Sequence, residues 1–144
     1  MKPKLVQAYM KTAEIFAELS HARRLHVGAI IVKDDRIISI GYNGMPAGWE
    51  NDCEEIVELR EDGHHELKTK PEVLHAETNA IAKLAKSSDS GLGATMFITH
   101  SPCLDCAKLV YQSGIGSVIY RNSYRSSEGV DFLTRSGVEV IKLD

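Results

Sequence analysis

From residue 3 to residue 20, apolar side chains recur every three or four positions: Leu5, Ala8, Tyr9, Ile15, Phe16 and Leu19, with Thr12 on the same stripe. That spacing predicts an amphipathic helix with the stripe turned to the core. HARRLH (21–26) breaks the pattern. GAIIVK (28–33) and RIISIGY (36–42) are rich in β-branched residues and are separated by Asp34-Asp35, which predicts a β-hairpin. NGMPAGW (43–49), with two glycines and a proline, reads as loop. Residues 50–72 are polar and charged around EIVEL and are expected to form an excursion from the main body, with a short strand pair in it. HAETNAIAKLAK (75–86) returns to helical spacing, with Ile81, Leu84 and Ala85 as the buried face, and SSDSGLG ends it. ATMFITH (94–100) reads as a strand. Pro102 suits the first turn of a helix and predicts one over Cys103–Ser113. SVIY (117–120) reads as a strand, residues 127–136 as a helix and VEVIKL (138–143) as a last strand.

The order helix, hairpin, then helix and strand three times over predicts an α/β fold. We expect a three-layer α/β/α sandwich around a five-stranded mixed sheet. Its first two strands form an antiparallel hairpin, later strands run parallel through helical crossovers, and helices cover both faces. The 144 residues fit one domain, taken as 1–144. Apolar residues at 43% and charged residues at 26% are ordinary for a soluble globular chain and change nothing. The net charge of −3 does change the picture: a protein living on non-specific polynucleotide contacts would be basic. No apolar run is long enough to span a membrane, and the first residues alternate charge with apolar side chains, unlike a signal peptide.

The three cysteines are Cys53, Cys103 and Cys106, too few and too odd for a disulfide framework. They point to a reducing compartment, a cytoplasm, and to a metal or redox role. Cys103 and Cys106 stand three apart in SPCLDC at a predicted helix start. That spacing puts both sulfurs on one face, and a helix N-terminus favours the thiolates that bind metal. With His75 they make three ligands of the type zinc prefers, which leaves a fourth position for water; structural zinc is normally closed by four. Glu77, two residues after His75, is badly spaced to share a metal with it. Near a helix start it is instead able to reach over that water as an acid and base. CxxC alone also fits a thiol redox pair or half of a structural zinc site. A carboxylate beside an open ligand position argues against a purely structural role, and a redox pair would be metal-free.

The pattern His75-Ala76-Glu77 with Pro102-Cys103-Leu104-Asp105-Cys106 is the HxE…PCxxC signature of zinc deaminases. Together with VGAIIVKDDRIISIGYNGMPAG (27–48), HAETNAI (75–81), SPCLDCAKLV (101–110) and the segment 114–120, the chain resembles the cytidine/deoxycytidylate deaminase superfamily. The resemblance is strongest to the deoxycytidylate (dCMP) deaminases of phage type, over nearly the whole chain. It implies hydrolytic deamination of dCMP to dUMP and ammonia, feeding thymidylate synthesis, with one Zn²⁺ on His75, Cys103 and Cys106. It gives Glu77 the proton from the attacking water, for N3 of the ring and then for the leaving amine. It implies that Asn43 lines the nucleotide pocket, where the alternative is a turn residue with positive φ. Tyr124 would lie against the substrate or simply pack, and Ala76 and Ser101 would border the base through backbone groups. A monophosphate needs donors, and the candidates are Arg23, Arg24, His26, Arg121 and Arg125. The resemblance further implies a hexamer, activated by dCTP and inhibited by dTTP. The effector site would lie in the Gly41–Gly44 segment, and a bound dNTP would carry Mg²⁺. A second metal on Cys53, His64 and His65 is disfavoured for want of paired ligands, and lone His21 and His100 are expected to be structural. A tRNA adenosine editor, a nucleoside deaminase and a non-catalytic zinc module remain as alternatives.

Overall fold

The structure is a computed structural model that describes residues 1–59, 61–63 and 65–144. The elements are α1 (Pro3–Ala17), β1 (Gly28–Lys33), β2 (Arg36–Tyr42), β3 (Glu54–Leu59), β4 (His65–Thr69), α2 (Ala76–Ala85), β5 (Thr95–His100), α3 (Leu104–Gln112), β6 (Ser117–Asn122), α4 (Glu128–Arg135) and β7 (Glu139–Lys142). Five strands form one sheet in the order β2-β1-β5-β6-β7. β1 runs antiparallel to both β2 and β5, while β5, β6 and β7 are parallel. β3 and β4 form a separate two-stranded ribbon, the expected excursion.

The β1–β2 turn forms where expected because Asp34 and Asp35 both take positive φ, 51° and 57°, the conformation a tight hairpin turn requires. One face of the sheet carries α2, α3 and α4 over a core that includes Ile31, Met96, Ile98, Val118 and Leu133. The other carries α1, whose Met10 and Ala13 pack on Ile30, Val32, Phe97 and Ile119.

The helix α1 buries a different stripe from the one its large apolar residues suggest. Met10, Ala13 and Ala17 are inside, whereas Leu5, Ile15 and Leu19 are exposed. The reason is close approach. A Cβ on Gly28 of β1 would lie 2.0 Å from the Ala13 carbonyl oxygen, so the helix backbone closes on β1 at its alanines, while Met10 and the half-buried Tyr9, its ring 5.3 Å from that of Phe97, pack on the sheet beside them. Helix α2 docks in the same manner. A Cβ on Gly41 would fall 2.3 Å from the Ala76 oxygen and 2.6 Å from the Ala80 nitrogen. Ser39 Oγ donates to the Ala80 carbonyl at 2.6 Å and Asn79 Nδ2 to the Tyr42 carbonyl at 3.1 Å. On this helix Leu84 is buried and Ile81 half-buried against the core, as expected, whereas Ala85 is exposed and Ala80 is buried in its place. Gly41→Ala is expected to cost about 1–3 kcal/mol, because backbone rather than a mobile side chain must give way. A urea unfolding midpoint unchanged from the parent would show that the contact is loose.

Candidate metal centre and pocket

Two helices begin at the same place. His75 is the residue before α2, with φ −75° and ψ 159°, and Cys103 is the residue before α3, with φ −71° and ψ 169°. Pro102 therefore precedes the helix start instead of lying in its first turn: Cys103 is the N-cap of α3, a position that takes extended backbone. Glu77 and Cys106 lie in the first turns of α2 and α3. The two helix N-termini turn unpaired N–H groups and positive dipole ends towards the site, which favours thiolate and carboxylate there.

His75 Nδ1 lies 3.1 Å from Cys106 Sγ and 3.6 Å from Cys103 Sγ. The three donor atoms all lie within 4.8 Å of one another, the only such His/Cys/Asp/Glu group among the described residues. A tetrahedral zinc ion separates its nitrogen and sulfur donors by roughly 3.5 Å, and the two distances bracket that value. The donor set and its span thus fit zinc. Cys53 is buried; His64 and the side chain of His65 lie outside the described residues.

Hydrogen bonds from the Cys106 thiol and then from His75 lower the Cys103 pKa to about 4, while the bond to Cys103 and burial push Cys106 upward. The hydrogen bond to Cys103 raises His75. Glu77 is only 4% exposed, and burial raises its pKa against the lowering pull of its own backbone N–H, His75 and Cys106. A lowered pKa means that the charged form persists as pH falls. In zinc-stripped protein Cys103 is therefore expected to alkylate with iodoacetamide down to about pH 5, well below an ordinary thiol. A rate at Cys103 dropping tenfold per pH unit from pH 8, followed by mass spectrometry, would contradict this.

The His75, Cys103 and Cys106 group lies at a pocket of about 400 Å³, within the usual size for small-ligand sites. Asn43, Ala76, Ser101 and Tyr124 all line it, together with His75, Glu77 and Cys103. Asn43 does not have positive φ. Its side chain holds the preceding loop, accepting from Val27 N at 2.9 Å and donating to the Leu25 carbonyl at 2.8 Å. Ser101 Oγ accepts from Tyr124 N at 2.7 Å and Ser101 N donates to the Asn122 carbonyl at 2.9 Å, so Ser101 fixes the loop that carries Tyr124.

The basic candidates separate. Arg24 and Arg125 line the pocket. Arg23 is spent on Glu54 and Asp52, at 3.6 and 3.3 Å. Arg121 joins Glu14 at 3.0 Å, Gln7 and the Asp144 carbonyl, which ties α1 to the chain's end and away from the pocket. His26 bonds the Ala22 carbonyl and lies outside the pocket lining, as do Gly41, packed on α2, and Gly44, paired with Leu74. His100, expected to be structural, lines the pocket with its pKa lowered by burial. Glu54 and Thr69 of the excursion line it as well. The charged composition of residues 50–72 held no sign that this ribbon folds back over the site.

Residues 3–122 match the family model described as the cytidine and deoxycytidylate deaminase zinc-binding region. The deoxycytidylate deaminase of enterobacteria phage T4 is 33% identical over 93% of this chain and 87% of its own length. The human deoxycytidylate deaminase is 39% identical over 83% of this chain and 66% of its own length. Among solved structures, the dCMP deaminase of cyanophage S-TIM5, in complex with dCMP and dUMP, superposes with a TM-score of 0.89 at 50% identity, over 99% of both chains. The His75, Cys103 and Cys106 trio at two converging helix starts, the buried glutamate beside it and these matches agree: the chain belongs to the cytidine and deoxycytidylate deaminase family.

Proposed function

We propose that this protein hydrolyses dCMP to dUMP and ammonia. The observation that carries the reading is the buried Glu77 beside the His75, Cys103 and Cys106 trio, in a pocket whose lining also includes arginines. Zinc on those three residues would supply Lewis acidity that brings the ionisation of a bound water towards neutral pH. Glu77 takes a proton from the attacking water and passes it to N3 of the ring as the water oxygen bonds to C4. It then takes the remaining proton from the new C4 hydroxyl and delivers it to the amine; the C4=O bond forms, the C4–N bond breaks and ammonia leaves. Burial raises the Glu77 pKa, which brings the protonated form within reach, as an acid and base working near neutral pH needs. Asn43, Ala76, Ser101 and Tyr124 shape the nucleoside site, and Arg24 and Arg125 hold the 5′-phosphate. Arginine suits that task through bidentate contacts.

The finer parts of the reading are a homo-hexamer in a cytoplasm, activation by dCTP carried with Mg²⁺, inhibition by dTTP and a supply of dUMP for thymidylate. Two features support them. Leu5, Ile15 and Leu19 leave an apolar stripe on α1 that assembly would cover. Gly44 exchanges two backbone hydrogen bonds with Leu74, next to His75, so a ligand at Gly41–Gly44 would act beside the metal. The negative net charge opposes a polynucleotide substrate. A deamination panel of dCMP, cytidine and a tRNA anticodon stem-loop, each with and without dCTP and dTTP, tests the reading. It predicts turnover of dCMP alone, raised by dCTP and lowered by dTTP. Turnover of cytidine or of the stem-loop in its place would refute the substrate.

A further inference from the structure

The ribbon β3–β4 has no place in the sheet, yet its base is tied to the substrate pocket. Glu54, the first residue of β3, has a side chain only 1% exposed. Its carboxylate accepts the backbone N–H of Arg23 at 2.8 and 3.1 Å and that of Arg24 at 2.9 Å. Thr69, the last residue of β4, stands opposite Glu54 in the ribbon's register. Its Oγ1 accepts from Arg24 Nη1 at 3.3 Å. One cross-strand pair thus holds Arg24 at both ends, backbone by Glu54 and guanidinium by Thr69. The neighbouring Arg23 turns its guanidinium onto Asp52 at 3.3 Å and onto Glu54 itself, 3.6 Å from the carboxylate, while Lys70, just after β4, pairs Asp52 at 3.3 Å.

We propose that the Glu54–Thr69 pair is a clamp that positions Arg24 for the 5′-phosphate of the nucleotide, and that this is the task of the ribbon. The inference rests on the reading of Arg24 as a phosphate contact. The chemistry of the pair explains the need. A free arginine on a loop must lose side-chain entropy each time it binds, and prior fixation lowers that cost. A buried carboxylate is suited to holding two adjacent N–H groups, because charge-assisted bonds are stronger than neutral ones. Both short bonds converge on Oε2, so a glutamine oxygen there keeps them only as neutral bonds and sets its NH₂ against the Arg23 N–H at the Oε1 position. Glu54 and Thr69 are positioning residues, acting through Arg24.

The test is steady-state deamination of dCMP by the zinc-loaded protein, for Arg24→Ala, Glu54→Gln, Thr69→Val and the two doubles that contain Arg24→Ala, with zinc content measured throughout. Arg24→Ala is expected to raise KM about tenfold, the loss of one charge-assisted contact. Glu54→Gln should raise KM roughly fivefold and Thr69→Val roughly twofold, each more than it lowers kcat. Once Arg24 is alanine, neither substitution should raise KM further, because nothing remains to be positioned. Increments in KM that multiply in the doubles would overturn the clamp, as would single variants with unchanged KM beside a raised one for Arg24→Ala. An unchanged KM for Arg24→Ala would instead remove the phosphate contact itself, and the clamp with it. Should Glu54→Gln fail to fold, Thr69→Val, at an exposed hydrogen bond, decides the matter alone.

Discussion

Replacing Glu77 by glutamine is expected to lower dCMP turnover by about 10²–10⁴-fold, the usual worth of a positioned acid and base, with zinc retained in full. Glutamine keeps the shape of the side chain, so the packing at the start of α2 is preserved. It has no carboxylate to take a proton from water or to hand one to the ring and the amine. The variant should also be no less stable than the parent, because a carboxylate whose pKa is raised chiefly by burial is a group the fold tolerates for its chemistry. Kinetics and metal analysis on one preparation check both halves. Zinc lost in step with activity would make Glu77 a ligand and undo the assignment of the acid and base.

Cys106→Ala should abolish both zinc binding and turnover. Cys106 is 2% exposed and its sulfur is 3.1 Å from His75 Nδ1, so no solvent-borne ligand replaces it easily. Metal bound by the folded chain adds its binding free energy to the stability of the fold, and removing one of three thiolate or imidazole donors forfeits much of it. Anything bound only by the folded chain raises its melting temperature. Chelator should therefore lower the Tm of the parent and leave that of Cys106→Ala where it is. Full zinc occupancy in the variant would exclude Cys106 from the metal centre.

The chemistry of this chain is more legible in the sequence than its packing. HAE and PCLDC are local: three residues and five residues specify the donors, and the helix starts that follow them specify where those donors point. The same holds for the Asp34-Asp35 turn. What fails is what depends on distant partners. The stripe of large apolar residues on α1 is the natural reading of its periodicity, but Gly28 of β1 admits only Ala13 and Ala17, and that pairing lies outside any window on the helix. Arg23 and Arg24 are equivalent in the sequence. They divide into structure and pocket only because Asp52 and Glu54 come back from some thirty residues away. His100 enters the pocket because β5 ends there, three residues before Cys103, with its side chain part-buried; its nearness to the site is legible in the sequence, but the direction of its ring is not.

The most direct test of the account joins metal to activity. Protein stripped of zinc with a chelator is titrated with Zn²⁺, and the release of ammonia from dCMP is measured at each step. The account predicts that dCMP turnover rises in proportion to added zinc and stops rising at one zinc per chain. A protein fully loaded with zinc that leaves dCMP unchanged, or turnover independent of zinc, would contradict it.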